Sequence, residues 1–317
     1  MRLVFMGSPE FALPTLRRLI ESEHDLVAVV TQPDRPAGRG RRLQPPPAKQ
    51  LALEHGLPVL QPERVNALES LAALRELAPD AIVIAAYGQI LRQPLLDLPR
   101  RGALNVHASL LPRYRGASPI AAAIIAGEEE TGVTIQEVVL ALDAGPIVAQ
   151  RALPIDAHDT AGTLGEKLAQ LGADLLVEVL PAWERGALTP APQDDSQATY
   201  APALRREDAF IDWSLPASDL WRRVRAYKPW PVATTTLDGE PLRILEAWPL
   251  KDEGDEPPGI VVALPEGTDA PAGAGFAVRC GRGSLAVVRA QRAGKRPLSG
   301  AELLRGARSL LGTRLGQ

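Results

Sequence analysis

Short apolar runs rich in β-branched residues punctuate the first half of the chain at residues 3–6, 26–30, 81–86 and 104–106, and most are separated by stretches with helical spacing. Runs this short suit strands buried on both faces, and their alternation with helices predicts an α/β fold with a Rossmann-like, doubly wound, mostly parallel sheet. The first crossover shows the pattern. Ser8 is placed to cap a helix, Pro9 suits its first turn, and Leu13, Leu16 and Ile20 then share a face. Residues 131–139 and 147–153 read as later strands. Residues 163–180, with Leu164, Leu168, Leu171 and Leu175 in register, read as a long amphipathic helix that closes the domain.

Past Gly186 the periodicity gives way to Thr-Pro-Ala-Pro-Gln-Asp-Asp-Ser-Gln, a polar, proline-bearing stretch of the kind that joins domains. Beyond it a helix at 217–226 precedes short runs at 242–245, 259–264, 276–279 and 285–290 with glycine-bearing turns, which suggest a small, OB-like β-barrel. The expected organisation is a larger α/β domain over residues 1–185, a linker over 186–205 and a C-terminal barrel over 206–317.

Composition narrows the functional classes. With 317 residues, 45% apolar and 23% charged, the chain has the length and core material of a two-domain globular protein. The single Cys280 can form neither an internal disulfide nor a cysteine-rich zinc site, which fits a reducing compartment. Residues 2–6 already read as a strand, so no leader is expected upstream, and no run approaches the roughly 20 apolar residues of a membrane span. A cytoplasmic monomer with no membrane partner is the expectation. The histidines His24, His55 and His158 lie apart without ligand spacing, so no metal is expected.

A net charge of −3 alone argues against a dedicated nucleic-acid binder, but it conceals a division. Residues 205–317 carry 17 Lys and Arg against 14 Asp and Glu, leaving −6 on residues 1–204. Within that acidic part, Thr31-Gln-Pro-Asp-Arg35-Pro-Ala-Gly38-Arg39-Gly40-Arg41-Arg42 forms a basic loop with four arginines and two glycines. Such a loop is often only a solvated surface.

The segment Asn105-Val-His107-Ala-Ser109-Leu-Leu-Pro112-Arg-Tyr-Arg-Gly116 begins at the end of a strand, where open α/β sheets bind ligands. Strand periodicity sends Asn105 and His107 to one face and Val106 to the other. A second strand, Thr131-Gly-Val-Thr-Ile, runs on toward Leu142-Asp143-Ala144-Gly145. Moving an acyl group onto an amine requires a neutral amine, a stabilised oxyanion and a proton for the departing nitrogen. Asn105 could donate to the oxyanion, His107 could polarise the carbonyl or relay a proton, and Asp143 could orient the imidazole or accept the amine proton. The bland alternatives stand beside this: a structural histidine, an asparagine closing a turn, an aspartate bracing the Gly145 bend.

Asn105-x-His107, the run Ser109-Leu110-Leu111-Pro112 and Asp143 together resemble the signature of the folate-dependent formyltransferases, and the likeness runs from Phe5-Met-Gly-Ser-Pro-Glu-Phe into the C-terminal part. The resemblance is to the methionyl-tRNA branch of that family. It implies transfer of a formyl group from 10-formyltetrahydrofolate to the amino group of initiator methionyl-tRNA in translation initiation. It also implies that Asn105, His107 and Asp143 are catalytic, and that Ser109, Leu110, Leu111 and Pro112 line the folate site. The stretch Ala86-Tyr-Gly-Gln89-Ile90-Leu91 resembles the pterin-side segment, where a core strand leading into a turn is an equal reading.

By the same resemblance, the basic loop corresponds to an insertion that engages the tRNA acceptor stem, with Arg39 first and Arg35, Arg41, Arg42 and Lys49 in support. Ile211-Asp-Trp-Ser and Arg225-Ala-Tyr-Lys-Pro-Trp-Pro match C-terminal hallmarks of the family. Gly7-Ser-Pro-Glu-Phe-Ala lacks the second and third glycines of a dinucleotide fingerprint, so no nicotinamide cofactor is implied. Two other classes remain in view: a formyltransferase or formyl-folate hydrolase with a small acceptor, and a non-catalytic RNA-binding module on a degenerate core.

Overall fold

The protein is described by a computed structural model covering residues 1–37, 42–252 and 254–316. It divides into two compact units: Met1–Pro119 with Glu130–Pro154 and Leu164–Ala201, and Ile120–Glu129 with Ile155–Thr163 and Pro202–Gln317. In chain order the elements begin β1 (Arg2–Gly7), α1 (Leu13–Ile20), β2 (Asp25–Val30), β3 (Arg35–Ala37), β4 (Arg42–Gln44), α2 (Pro47–Glu54) and β5 (Val59–Leu60). They continue with α3 (Leu68–Glu76), β6 (Ala81–Ala85), α4 (Gln93–Leu96), β7 (Ala103–His107), α5 (Pro119–Ala126), β8 (Glu130–Glu137), β9 (Ile147–Pro154) and α6 (Ala161–Glu184).

Seven strands form the first unit's sheet in the order β5-β2-β1-β6-β7-β8-β9. The five from β5 to β7 are parallel, and β8 and β9 run antiparallel, so the expected mostly parallel class is observed. No crossover helix lies between β8 and β9; residues 138–146 simply turn back, which makes the two strands antiparallel neighbours. On one face Val4, Met6, Ile82, Ile84 and Ala103 pack with Leu71 and Leu74 of α3 and Leu95 of α4. Each such side chain, once buried, stabilises the fold by about 1.5–3 kcal/mol. Alternation sends Leu3 and Phe5, both fully buried, to the other face. There α1 is tied to α6 by Arg18, whose Nε donates to Asp174 at 2.8 Å.

The first crossover differs from its expected form. A 3-10 turn over Glu10–Ala12 precedes α1, whose N-cap is Ala12 without a side-chain bond. The Ser8 hydroxyl instead accepts from the Gln32 backbone N–H at 2.9 Å, tying the end of β1 to the end of β2. The buried stripe of α1 is accordingly Thr15, Leu16 and Leu19, with Leu13 and Ile20 half-buried. Helix α6 runs four residues past its expected end, with Pro181 in its last turn.

Residues 187–201, in the stretch expected to connect domains, are anchored on the first unit. Ala191 exchanges backbone hydrogen bonds with Ile147 at 2.8 Å, and Arg115 pairs with Tyr200 in a short bridge. Gln193 in this stretch is half-buried and hydrogen-bonded to Arg115, while Asp194–Gln197 are exposed.

The second unit contains α7 (Ala217–Ala226), β10 (Thr234–Leu237), β11 (Glu240–Leu250), β12 (Val261–Val262), β13 (Phe276–Arg279), β14 (Ser284–Arg292), β15 (Leu298–Ser299) and α8 (Gly300–Gly306). Its antiparallel sheet runs β10-β11-β14-β13-β12, with β15 on β14, and curls into half a barrel. Register shifts at Ile244/Glu246 and Glu246/Ala247 mark bulges, which increase local twist and help a sheet to curl. Helix α8 opens with a full capping box between Ser299 and Glu302.

Candidate active site

Strand β7 ends where the sheet changes from parallel to antiparallel. Asn105 lies opposite Gln136 of β8, and His107 lies opposite Thr134. Paired residues share a face, so two polar pairs stand together at the C-terminal end of β7. His107 is 6% exposed, and its Nε2 lies 3.0 Å from the Tyr114 carbonyl oxygen. A carbonyl only accepts, so that nitrogen carries the proton. Nδ1 is left facing Asp143 Oδ2 across 3.7 Å, beyond direct hydrogen-bond reach. Asn105 is half-buried, and its carboxamide makes no hydrogen bond to any described residue.

Asp143 sits in the turn between β8 and β9 in a left-handed conformation, φ +48°, which aspartate tolerates better than most residues. Its carboxylate accepts from the Gly116 N–H at 2.8 Å and from Gln136 Nε2 at 3.0 Å. Both neighbouring turns require glycine. A Cβ on Gly145 would lie 1.7 Å from the Glu137 carbonyl oxygen, and one on Gly116, at φ +117°, would lie 2.6 Å from that of Ala201. The amide, the imidazole and the carboxylate thus belong to one end of one sheet, with the acid and the ring oriented before any ligand arrives.

A model of the formyl transferase family matches residues 1–180, and one of the formyl transferase C-terminal domain matches residues 203–308. The methionyl-tRNA formyltransferase of Methylococcus capsulatus is 50% identical over 316 residues, spanning 100% of both chains. That of Roseiflexus castenholzii is 49% identical over 318 residues, 100% of this chain and 99% of the relative.

The chain belongs to the formyl transferase family.

Solved structures show the same fold at lower identity. An N-formyltransferase from Helicobacter canadensis, in complex with folinic acid and dTDP-3-aminofucose, superposes with a TM-score of 0.66 at 17% identity over 92% of this chain and 99% of its own. HypX from Aquifex aeolicus, in complex with tetrahydrofolic acid, gives 0.63 at 22% identity over 96% of this chain; the match spans about half, 47%, of the HypX chain.

In this formyltransferase the loop after His107 is internally braced. The Ser109 hydroxyl, fully buried, donates to the Arg113 carbonyl at 2.6 Å. Thr134 donates to the Ser109 carbonyl at 2.7 Å and accepts from the Leu111 N–H at 3.1 Å. The Leu111–Pro112 peptide is cis. Ser109 and Leu111 therefore face inward, while Leu110 and Pro112 are half-buried. In the pterin-side segment, Gln89 accepts from the Val65 N–H at 2.9 Å and donates to the Pro62 carbonyl at 3.1 Å. Leu91 belongs to the core, and Ile90 is 82% exposed.

The basic loop of the formyltransferase is a two-stranded antiparallel ribbon of β3 and β4, with Arg35 opposite Gln44 and Ala37 opposite Arg42. Arg39 and Arg41 lie outside the described residues. Arg35 is 3.4 Å from Glu63, both well exposed, and Arg42 is exposed. The Lys49 ammonium lies 2.9 Å from both oxygens of Asp34, a half-buried pair. Hydrogen bonds from Gln61 and then Lys49 hold the Asp34 carboxyl below the usual carboxylate range.

Sequence reasoning missed Arg115, Gln136 and Gln193, which build the frame of the Asp143 turn. Gln136 had a readable signal, because Thr134 and Gln136 repeat at strand period and alternate with the apolar Val133 and Ile135. No helix among the described residues is long and apolar enough to cross a membrane.

Proposed function

We propose that the protein transfers the formyl group of 10-formyltetrahydrofolate to the α-amino group of methionine esterified to initiator tRNA, as a cytoplasmic monomer in translation initiation. The observation that carries this reading is the convergence of His107 and Asp143, 3.7 Å apart and both fixed by other bonds, beside the unpartnered Asn105 amide. Near-half identity along the full length to proteins named methionyl-tRNA formyltransferase supports the acceptor.

The donor supplies an activated formyl carbon and an amine leaving group. Asn105 would donate to the formyl oxygen as negative charge gathers there, a contact whose removal typically raises a barrier by about 3–4 kcal/mol. The Tyr114 carbonyl occupies Nε2 of His107, which leaves Nδ1 to exchange the proton that ends on the departing nitrogen. Asp143 would accept the proton released by the attacking amine, directly or through a bridging water, and pass it to Nδ1, stabilising the imidazolium until that proton moves on to the departing nitrogen. Leu110, Pro112 and Ile90 would supply the apolar contacts to the folate, while Ser109, Leu111, Gln89 and Leu91 hold those surfaces in shape.

For the acceptor, Arg35, Arg39, Arg41 and Arg42 of the basic segment 31–42 would bind the phosphates and unpaired end of the acceptor stem, with Lys49 supporting them through Asp34. Residues 206–317 would offer a mildly basic platform to the tRNA backbone. The test is an assay with the formyl donor and either initiator or elongator methionyl-tRNA. Formylmethionine from the initiator at the higher kcat/KM is expected. Equal formylation of a free amino sugar or nucleotide would point to the small-acceptor reading.

A further inference from the structure

Gln193 lies in the strap that follows α6, 50 residues from the turn it touches. Its Nε2 donates to the Asp143 carbonyl at 2.8 Å and to the Gly145 carbonyl at 2.7 Å, and lies 3.3 Å from Gln136 Oε1. Its Oε1 accepts from Arg115 Nε at 3.0 Å and from Nη2 at 2.8 Å. Arg115 is 3% exposed, and its Nη2 also donates to the exposed Asp195 at 2.7 Å. The orientation of the amide follows from its partners. A guanidinium only donates and a carbonyl only accepts, so the oxygen must face Arg115 and the nitrogen must face the turn.

The place calls for a donor and an acceptor on one side chain. Glutamate offers acceptors alone, lysine and arginine donors alone, and asparagine falls one methylene short. The strap is itself fixed beside the active-site loop: the Arg115 N–H donates to the Thr199 carbonyl at 2.8 Å, and the Ala201 N–H donates to the Arg115 carbonyl at 2.7 Å. Gln193 thus grips the backbone of the residue whose carboxylate faces His107, while Gly116 and Gln136 hold the carboxylate itself.

We infer that Gln193 is a positioning residue for formyl transfer: clamped by Arg115, it holds the Asp143–Gly145 turn so that the Asp143 carboxylate stays aligned with His107. The inference rests on the formyl-transfer reading above. It extends the functional frame into a stretch whose composition reads as connecting chain. Displacement of a reacting group by about 1 Å can cost on the order of 100-fold in rate, which makes a turn-holding amide visible in turnover.

Three variants test it in the full chain: Gln193→Met, which keeps the bulk; Gln193→Glu, which turns acceptors toward two carbonyl oxygens; and Gln193→Met combined with Asp143→Asn. Formylation kinetics and thermal unfolding are measured together. Gln193→Met is expected to fold and to lower kcat about 30-fold, with KM for donor and acceptor within about two-fold, and Gln193→Glu is expected to be slower still. In the Asp143→Asn background, Gln193→Met should add less than about a two-fold further loss, because the group it positions is already disabled. A Gln193→Met kcat within about three-fold of wild type, a change confined to KM, multiplying effects in the double variant, or a Gln193→Met chain that does not fold would each overturn the assignment. Wild-type protein that formylates no methionyl-tRNA would instead sink the functional reading on which it rests.

Discussion

On the proposed reading, the Asp143 turn and the arginine ribbon are two answers to substrate, built on the same unit. At the turn, an acid in a left-handed conformation is held by donors from Gly116 and Gln136 while Gln193 grips its backbone. On the ribbon, Arg35 and Arg42 lie on three-residue strands, and Arg35 meets an exposed Glu63. Chemistry needs its groups aligned before the reaction starts, because alignment achieved afterwards raises the barrier. Capture of a polyanion needs only charge within reach, and exposed arginines keep the conformational freedom to follow it.

The contrast breaks most directly at the turn. Asp143→Ala and His107→Ala are each expected to lower kcat by about 1,000-fold while the circular dichroism spectrum is retained, since each removes a proton-handling group. A loss of less than about ten-fold in either would mean that the aligned groups are not the reacting ones. Asn105→Ala should follow at about 100-fold in kcat, with little change in donor KM, because its amide is needed chiefly when charge develops on the formyl oxygen. A loss carried by KM would make Asn105 a binding residue instead.

How much of this was legible follows from where each signal lies in the chain. Strands β1, β2, β6 and β7 announce themselves as compact apolar runs, and the Asn105–His107 alternation survives folding because a strand's period of two is local. The bounds of α7 also match their periodic stretch. Gln193 was illegible, since a polar side chain in a proline-bearing stretch carries no periodicity, and its partners lie 48 to 78 residues away. Ser8 misled for a non-local reason: its hydroxyl had a competing donor, the Gln32 N–H, which becomes available only when β1 and β2 are side by side. The β3–β4 ribbon hid behind prolines and glycines that read as an irregular loop.

Smaller effects sharpen the ribbon's side of the comparison. Arg39→Ala and Arg42→Ala should each raise KM for methionyl-tRNA by about three- to ten-fold at low salt, leave kcat unchanged, and reduce the slope of log affinity against log salt by about 1. Equal loss of donor binding would show that the ribbon acts on folding rather than on tRNA.

The smallest effect concerns the frame beneath the site. The Tyr87 hydroxyl is buried in the core that packs α3 and α4, without a hydrogen-bond partner among the described residues, and burial pushes it from 10.0 up to about 12. The folded chain therefore holds this proton more tightly than the unfolded one, so the stability it contributes is full below about pH 10 and is lost as pH rises toward 12. Tyr87→Phe removes the orphaned group. It should stabilise the protein by about 1 kcal/mol at neutral pH and flatten the alkaline decline in thermal midpoint. An unchanged midpoint across pH 7 to 11 would show that the hydroxyl is solvated.

The central claim is that one formyl carbon is met by an amide, an imidazole and a carboxylate at the end of β7. A crystal structure with a non-transferring 10-formyl analogue of the donor tests it most directly. The account predicts the formyl group within about 3.5 Å of both Asn105 Nδ2 and His107 Nδ1, with Asp143 on the same, Nδ1 side of the ring. An analogue bound elsewhere on the chain, with these three side chains unengaged, would contradict it.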